Sequence, residues 1–518
     1  MQKKILVIGI TLFLLLIGST GCITEYKDDS DIKTNKDITI GLYVDCLGFH
    51  PWMESYDTET LCVNANIFNS LVEFDKDFKI VPALAVSWNN PNNLTWRFKL
   101  REGVKFHNGY DFTAEDFNFT IELIKRNESS VLKDLIAPIS EVKIIDNYTV
   151  DIITEDPYPV LLNRLVDIFI VSKQYQESTE SKWPIGTGGY KFVERVENDY
   201  ILLERFDDYW KAPLEINKVT FKVLQGIEER KDALISQLVD IIMVSSDYYE
   251  DLSNIEDIDL QLVSSPSVIF LGFDFRVNDS YGFYGEKNPV SDVRVRKAIY
   301  YAININHIIE KYRGGFALPA SQLVTPLVFG YNPEIERLPY DLNKARELMF
   351  DAGYEEGFEI VLDCIDSESQ KGTCGEIAAQ LSEINIDVKL NVHSVQNMSK
   401  MFKSRNTSFY YLGWLVSSGD SGEIFDYLLK TVDEENVTGL FNFGYYSNSE
   451  VDRFAEQVSI ILNPKDRLDL LQQGFEVAID DVAFIPLFWP QEIQGSLNHI
   501  DWSPRVDGYY KVEDIGFK

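Results

Sequence analysis

Residues 358–392 constrain the fold of this chain more than any other stretch. FEIVLD (358–363) has the length and apolar content of a strand, GEIAAQLSEI (375–384) follows with helical spacing, and IDVKLNV (386–392) is a second strand. Strands joined through a helix run parallel, and the crossover between them is right-handed in nearly every known case. Just upstream, Asp292 is placed to cap a long helix in which Val295, Ala298, Ile299, Ala302, Ile305, Ile308 and Ile309 recur at helical spacing until Gly314 and Gly315 stop it. A second helix begins at Asp341, buries Ala345, Leu348 and Met349, and ends at Gly353. Earlier still, TWRFKL (95–100) and NYTVDIITE (147–155) alternate apolar and polar residues as half-buried strands do, and a strand from Ile38 leads into a helix through VNANIFNSLVEF. The chain is α/β in its later half and mixed α/β before it.

At roughly 100–200 residues per domain, 518 residues make two to four domains. Composition shifts at VSSPSVIFLGFDF (263–275), a candidate crossover between domains, and the apolar VAFIPLFWP (482–490) can carry the chain back. The formal charge of −34 disfavours nucleic acid or an anionic membrane face as partner, because such surfaces are bound by clustered Lys and Arg.

The N-terminus reads as an export signal. Lys3 and Lys4 precede an apolar run from Ile5 to Ile17, shorter than the roughly 20 residues of a spanning helix, and small residues lead to Cys22. This resembles a lipoprotein cleavage site in which Cys22 becomes the lipidated first residue, with Ser19 where an aliphatic residue is usual. An uncleaved anchor gives the same location, the outer face of the cytoplasmic membrane. Residues 23–37 are polar and aperiodic, a tether. Cys46 and Cys364 each follow a strand, and Cys62 and Cys374 each open a helix. In an exported chain that pattern points to two local disulfides, other connectivities remaining open; a metal site lacks a CxxC or a nearby His.

Several stretches together resemble the extracytoplasmic solute-binding proteins of peptide and nickel ATP-binding-cassette importers, family five. PALAVSWNNPNNLTWRFKLREGVKFHNGYDFTAEDF (82–117) carries A-x-S-W, aromatic-x-L-R-x-G-V-K-F-H-x-G and F-T-A-x-D; PIGTGGY (184–190) is similar to G-T-G-P-Y with Gly189 for proline. RFDDYW (205–210), DVRVRKAIYYAI (292–303), YDLNKAREL (340–348) and YYSNSEVDRF (445–454) complete the set. The resemblance implies a two-lobed, periplasmic-binding-protein-like α/β fold (class II, with an extra subdomain) closing over a small solute. Lobe I would comprise residues 38–75, 184–264 and 484–518, the extra subdomain 76–183, and lobe II 265–483. Most motif residues read as structural: His107 as packing or capping in a turn, Arg294 and Arg296 as helix-surface or interlobe contacts.

The tetrapeptide GDSG (419–422) poses the sharpest alternative, since it is the string found around the nucleophile of chymotrypsin-like proteases. Glu423 stands where a third glycine would shape an oxyanion hole, and five histidines scattered over the chain give Ser421 no assigned base. The family pattern W-x-x-D-x-x-D-P fits better: Trp414 matches the tryptophan and Asp420 the second aspartate, while Ser421 replaces the proline. Ser417 replaces the first aspartate, which in peptide-binding members pairs with the α-ammonium. A hydroxyl does not supply that countercharge, so Asp420, Asp45 or Glu423 would have to. Tyr43 and Asp45 after the first strand, Phe273 and Asp274 at the first crossover and Trp489 at the second complete the candidate lining. Arg405 is either an anion clamp or a surface arginine, and Trp414 either an aromatic floor or core.

The resemblance thus implies a binding protein, not an enzyme, that hands a peptide-like solute to the transmembrane subunits of an importer as a monomer, with no cofactor and no resident metal. A nickel-chelate carrier of the same fold and a sensory or adhesive surface protein are the alternatives; few histidines and no cysteine cluster speak against direct nickel ligation. Sequons, including Asn93, Asn118, Asn147 and Asn436, fit exposure at a cell surface.

Overall fold

A computed structural model describes residues 36–518 apart from 53–56, 178–183, 212, 278–286, 434 and 436–437. Cys22, the signal segment and the sequon at Asn436 lie outside the described residues. The chain forms two units: the described residues up to 263 together with 492–518, and residues 264–491.

In the first unit the strand Asp37–Leu42 lies between Lys218–Val223 and Ile241–Val244, parallel to both. Tyr200–Arg205 and Tyr190–Val196 extend the sheet antiparallel on one side, and residues 493–496 pair with Ile241–Val244 on the other. Because the three central strands are parallel, their carboxyl ends share one edge. Residues 43–50, the start of the helix Ile227–Ile235 and Glu492 all emerge at that edge. A separate antiparallel sheet orders Ala85–Asn92, Thr95–Leu100, Thr149–Thr154 and Ile139–Asp146, with the helix Ala114–Arg126 against it.

The motif residues of this unit meet one another. A Cβ on Gly186 or Gly188 would stand 2.0 and 2.4 Å from the backbone oxygens of Ile67 and Asn66, so only glycine lets the GTG segment meet the end of the helix Thr58–Ile67. The Arg101 guanidinium stacks 4.4 Å over Trp210, whose Nε1 donates to Asn69 Oδ1 at 3.1 Å. His107 Nδ1 accepts from Gly186 N at 3.4 Å, which leaves the proton on Nε2 to be donated to Gly188 O at 2.9 Å. His107 is therefore a strap across the GTG turn.

In the second unit the sheet order is Ile386–His393, Phe358–Ile365, Phe409–Leu415, Ser267–Phe273, then the first half of Phe484–Leu497. Phe358–Ile365 and Ile386–His393 run parallel over eight residue pairs, joined by the helix Glu368–Ser382, so the crossover read from residues 358–392 is present. The helix from Asp292 is two helices, Val293–Ala302 and Ile305–Arg313. Ile303 is extended, and the Asn304 side chain accepts from His307 N, starting a new helix where apolar spacing alone runs on unbroken. Gly314 and Gly353 close their helices at φ 58° and 80°.

Two expectations are corrected here. Arg296 is not a helix-surface residue: it is 2% exposed and donates to the carbonyls of Val290, Ser291, Asp481 and Val482 and to the Asp481 carboxylate, tying the helix to the start of the strand Phe484–Leu497. The four cysteines are buried free thiols, not bridges. Cys46 Sγ donates to Gly48 O at 3.0 Å, and Cys62 Sγ accepts from Tyr510 N at 3.1 Å, so these sulfurs are engaged elsewhere. Cys364 and Cys374 face each other through a side-chain hydrogen bond.

Burial holds the His107 imidazole down at about 4. Its folded value lies below the ordinary 6.5, so as pH falls through that window the unfolded chain takes up a proton the folded chain refuses, and stability falls. Denaturant midpoints at pH 7 and 4.5 will show wild type losing about 1–2 kcal/mol more than His107→Gln.

Candidate functional site

The loop that follows the strand Phe409–Leu415 is built from buried charge. Asp420, 4% exposed, receives Arg467 Nη1 at 2.5 Å and Nη2 at 2.7 Å, a bidentate pair with both partners buried. Its Oδ1 also accepts from Gly422 N at 2.8 Å, and the backbone around it pairs with Phe329, which exchanges hydrogen bonds with Gly419 and Ser421. Ser421 is fully buried and its hydroxyl has no hydrogen-bond partner among the described residues. A Cβ on Gly330, at φ 103°, would stand 1.8 Å from that oxygen. A nucleophile needs a base and access to substrate; Ser421 has neither, and GDSG here is a packing motif.

On the other side of the same turn, Trp414 Nε1 donates to Glu423 Oε1 at 2.9 Å, and Ser418 Oγ hydrogen-bonds Glu423 Oε2. The partly exposed Trp414 ring sits among Phe441 and Tyr427, with centroids 5.1 and 6.0 Å away. Ser417 beside it is exposed. Of the acidic candidates on this loop, Asp420 is committed to Arg467, while Glu423 lies at the edge of the tryptophan.

The remaining candidates of the second unit are not gathered around this loop. Phe273 is fully buried and stacks on Phe409 at 5.3 Å, as core. Asp274, also fully buried, takes Arg276 in a bidentate pair. Arg405 ends the helix Val395–Ser404 at φ 53°, donates to Asn442 O and lies 5.1 Å over Tyr445. Trp489, 8% exposed, donates Nε1 to Gln322 O at 3.3 Å beside Tyr331.

In the first unit, Asp45 Oδ2 accepts from Arg195 Nη2 at 2.7 Å and Asn198 N at 2.8 Å, fastening residues 43–50 to the hairpin of Tyr190–Val196 and Tyr200–Arg205. Tyr43 stands at the shared carboxyl edge, 38% exposed, and its hydroxyl hydrogen-bonds the buried Glu59. Burial pushes Glu59 up to about 7 and Glu492 likewise, and burial first, then the charges of Glu59, Glu492 and Asp57, hold the Tyr43 hydroxyl protonated. Arg230 lies 5.9 Å over the Tyr43 ring. Nothing local in the sequence marks Glu59, Arg230 or Glu492; only the parallel strands bring them together. Among the described residues no group of three or more His, Cys, Asp or Glu is placed to hold a metal, and no helix is long and apolar enough to cross a membrane.

Two α/β units, with the chain passing from one to the other near residue 263 and back near 492, define the two-lobed periplasmic-binding-protein-like class. The solved structure of HbpA2 from Haemophilus parasuis superposes with a TM-score of 0.83 over 93% of this chain and 100% of that one, at 20% identity. The model of bacterial extracellular solute-binding proteins, family 5 Middle, matches residues 79–436, and the chain belongs to that family. Among curated relatives, heme-binding protein A of Haemophilus influenzae is 27% identical over 89% of this chain and 88% of its own length. The glutathione-binding protein GsiB of Pectobacterium atrosepticum is 26% identical over 94% of each.

If the Asp420–Arg467 pair organises the loop, Asp420→Ala strands a buried guanidinium and destabilises by about 3–5 kcal/mol, whereas Asp420→Leu with Arg467→Met recovers most of the loss. Calorimetric midpoints of the three proteins check this; equal midpoints for the single and double variants would contradict it.

Proposed function

We propose that this protein is the extracytoplasmic substrate-binding component of an ATP-binding-cassette importer, taking a peptide or peptide-like solute and delivering it to the transmembrane permease. The family match across residues 79–436 carries this reading, and a relative that binds glutathione, itself a tripeptide, supports the substrate class. In this reading the described residues up to 263 with 492–518 are lobe I, including the subdomain 76–183, and residues 264–491 are lobe II. Cys22 carries a lipid that holds the monomer at the outer face of the cytoplasmic membrane through the tether 23–37. Trp414, with Glu423 at its edge and Ser417 exposed beside it, offers an aromatic surface for side chains of varied shape. Tyr43 offers a second aromatic surface, on lobe I. Asp45 and Asp420 hold the loops that carry these surfaces, whereas Phe273, Asp274, Arg405 and Trp489 are engaged with other neighbours.

Native mass spectrometry of the purified protein, followed by denaturation to release what it carries, tests the substrate class. A heterogeneous set of short peptides is the expected result. A single reproducible solute without an amide bond would overturn the peptide assignment. Trp414→Ala is expected to lower peptide occupancy at least tenfold while the protein remains folded by circular dichroism.

A further inference from the structure

The buried charges of this protein are mostly closed pairs: Asp420 with Arg467, Asp274 with Arg276, Arg505 with Asp507. The carboxyl edge of the first unit breaks that pattern. Arg230 is 7% exposed, yet among the described residues its hydrogen bonds go only to the Leu224 and Gln225 carbonyls, through Nη1, and its Nε is buried without a partner. Its guanidinium lies over the face of the Tyr43 ring. At the hydroxyl of the same ring stands Glu59, 6% exposed, with Glu492 near enough to disfavour ionisation of both Tyr43 and Glu59. Tyr510 completes the surroundings, its hydroxyl donating to Gln494 at 2.9 Å.

Among the described residues Arg230 makes no ion-pair contact with a carboxylate, though Glu229 and Glu59 act on it from further off, and neither the buried Glu59 nor the partly buried Glu492 contacts a cation; charges left so around one tyrosine are unfavourable. Both are relieved by a ligand that carries the two complementary charges. The position agrees, since ligands of α/β proteins gather outside the carboxyl ends of parallel strands. The approach is also open: Tyr43 and Val44 are each 38% exposed and Leu47 62%, an apolar rim beside the charged groups.

We propose that Glu59 and Glu492 receive the ammonium, and Arg230 the carboxylate, of a short zwitterionic ligand, with the Tyr43 ring between them. This subsite rests on the reading of the protein as a binder of peptide-like solutes and places amine recognition on the first unit, where Ser417 leaves the second without the usual aspartate. Burial that keeps Glu59 and Glu492 at about 7 fits groups awaiting a countercharge.

The test presents a casein digest of short peptides to the immobilised full chain in three forms: untreated, fully acetylated and methyl-esterified. Retained peptides are quantified by mass spectrometry. The subsite predicts retention of the untreated digest and at least a tenfold loss on acetylation and on esterification. Glu59→Gln with Glu492→Gln is expected to lower retention of the untreated digest by a similar factor, with no fall in thermal midpoint. Equal retention of the untreated and acetylated digests overturns the subsite while leaving the peptide reading intact. Retention of none of the three by wild type removes the peptide reading and the subsite with it.

Discussion

A charge taken out of water must find its opposite, and this constraint organises the loop that carries GDSG. The Asp420–Arg467 pair is buried on both sides, and its geometry fixes everything near it. Asp420 turns the chain onto Gly422, the bridge to Phe329 follows, and Ser421 is pressed against Gly330. The same rule closes Asp274 with Arg276 and, through four carbonyls and a carboxylate, secures Arg296. Against this background, charges that are buried and left open carry information about a ligand.

That contrast separates the candidate residues into two groups. Asp274, Asp420 and Arg405, and Asp45 through Oδ2, hydrogen-bond neighbouring residues, so their chemistry is directed inward, at holding loops in place. Tyr43 and Trp414 are partly exposed, and each has a carboxylate at its polar end, Glu59 and Glu423 respectively. An aromatic face backed by a carboxylate gives a solute an apolar surface and a place for a cation at the same spot.

What the sequence disclosed was set by how local the responsible physics is. Helix starts at Asp292 and Asp341 and stops at Gly314 and Gly353 depend on a few adjacent atoms, and they were legible. So was the crossover of residues 358–392, because strand and helix periods differ. The break at Ile303–Asn304 was hidden, since apolar spacing continues across it. The partner of Asp420 lies 47 residues away, and Glu59, Arg230 and Glu492 come from three distant segments joined only by the edge of a sheet. No spacing rule reaches such groups. The cysteines misled because a strand end followed by a helix start brings two side chains near each other whether or not the sulfurs bond; Cys62 Sγ instead accepts a backbone amide from Tyr510.

The most direct measurement is a crystal structure of the protein saturated with a short peptide of defined sequence. The account predicts the ligand ammonium within hydrogen-bonding distance, about 3 Å, of Glu59 or Glu492, with its carboxylate on Arg230. A peptide whose ammonium lies instead against Glu423 and Trp414, with Glu59 and Arg230 untouched, would contradict it.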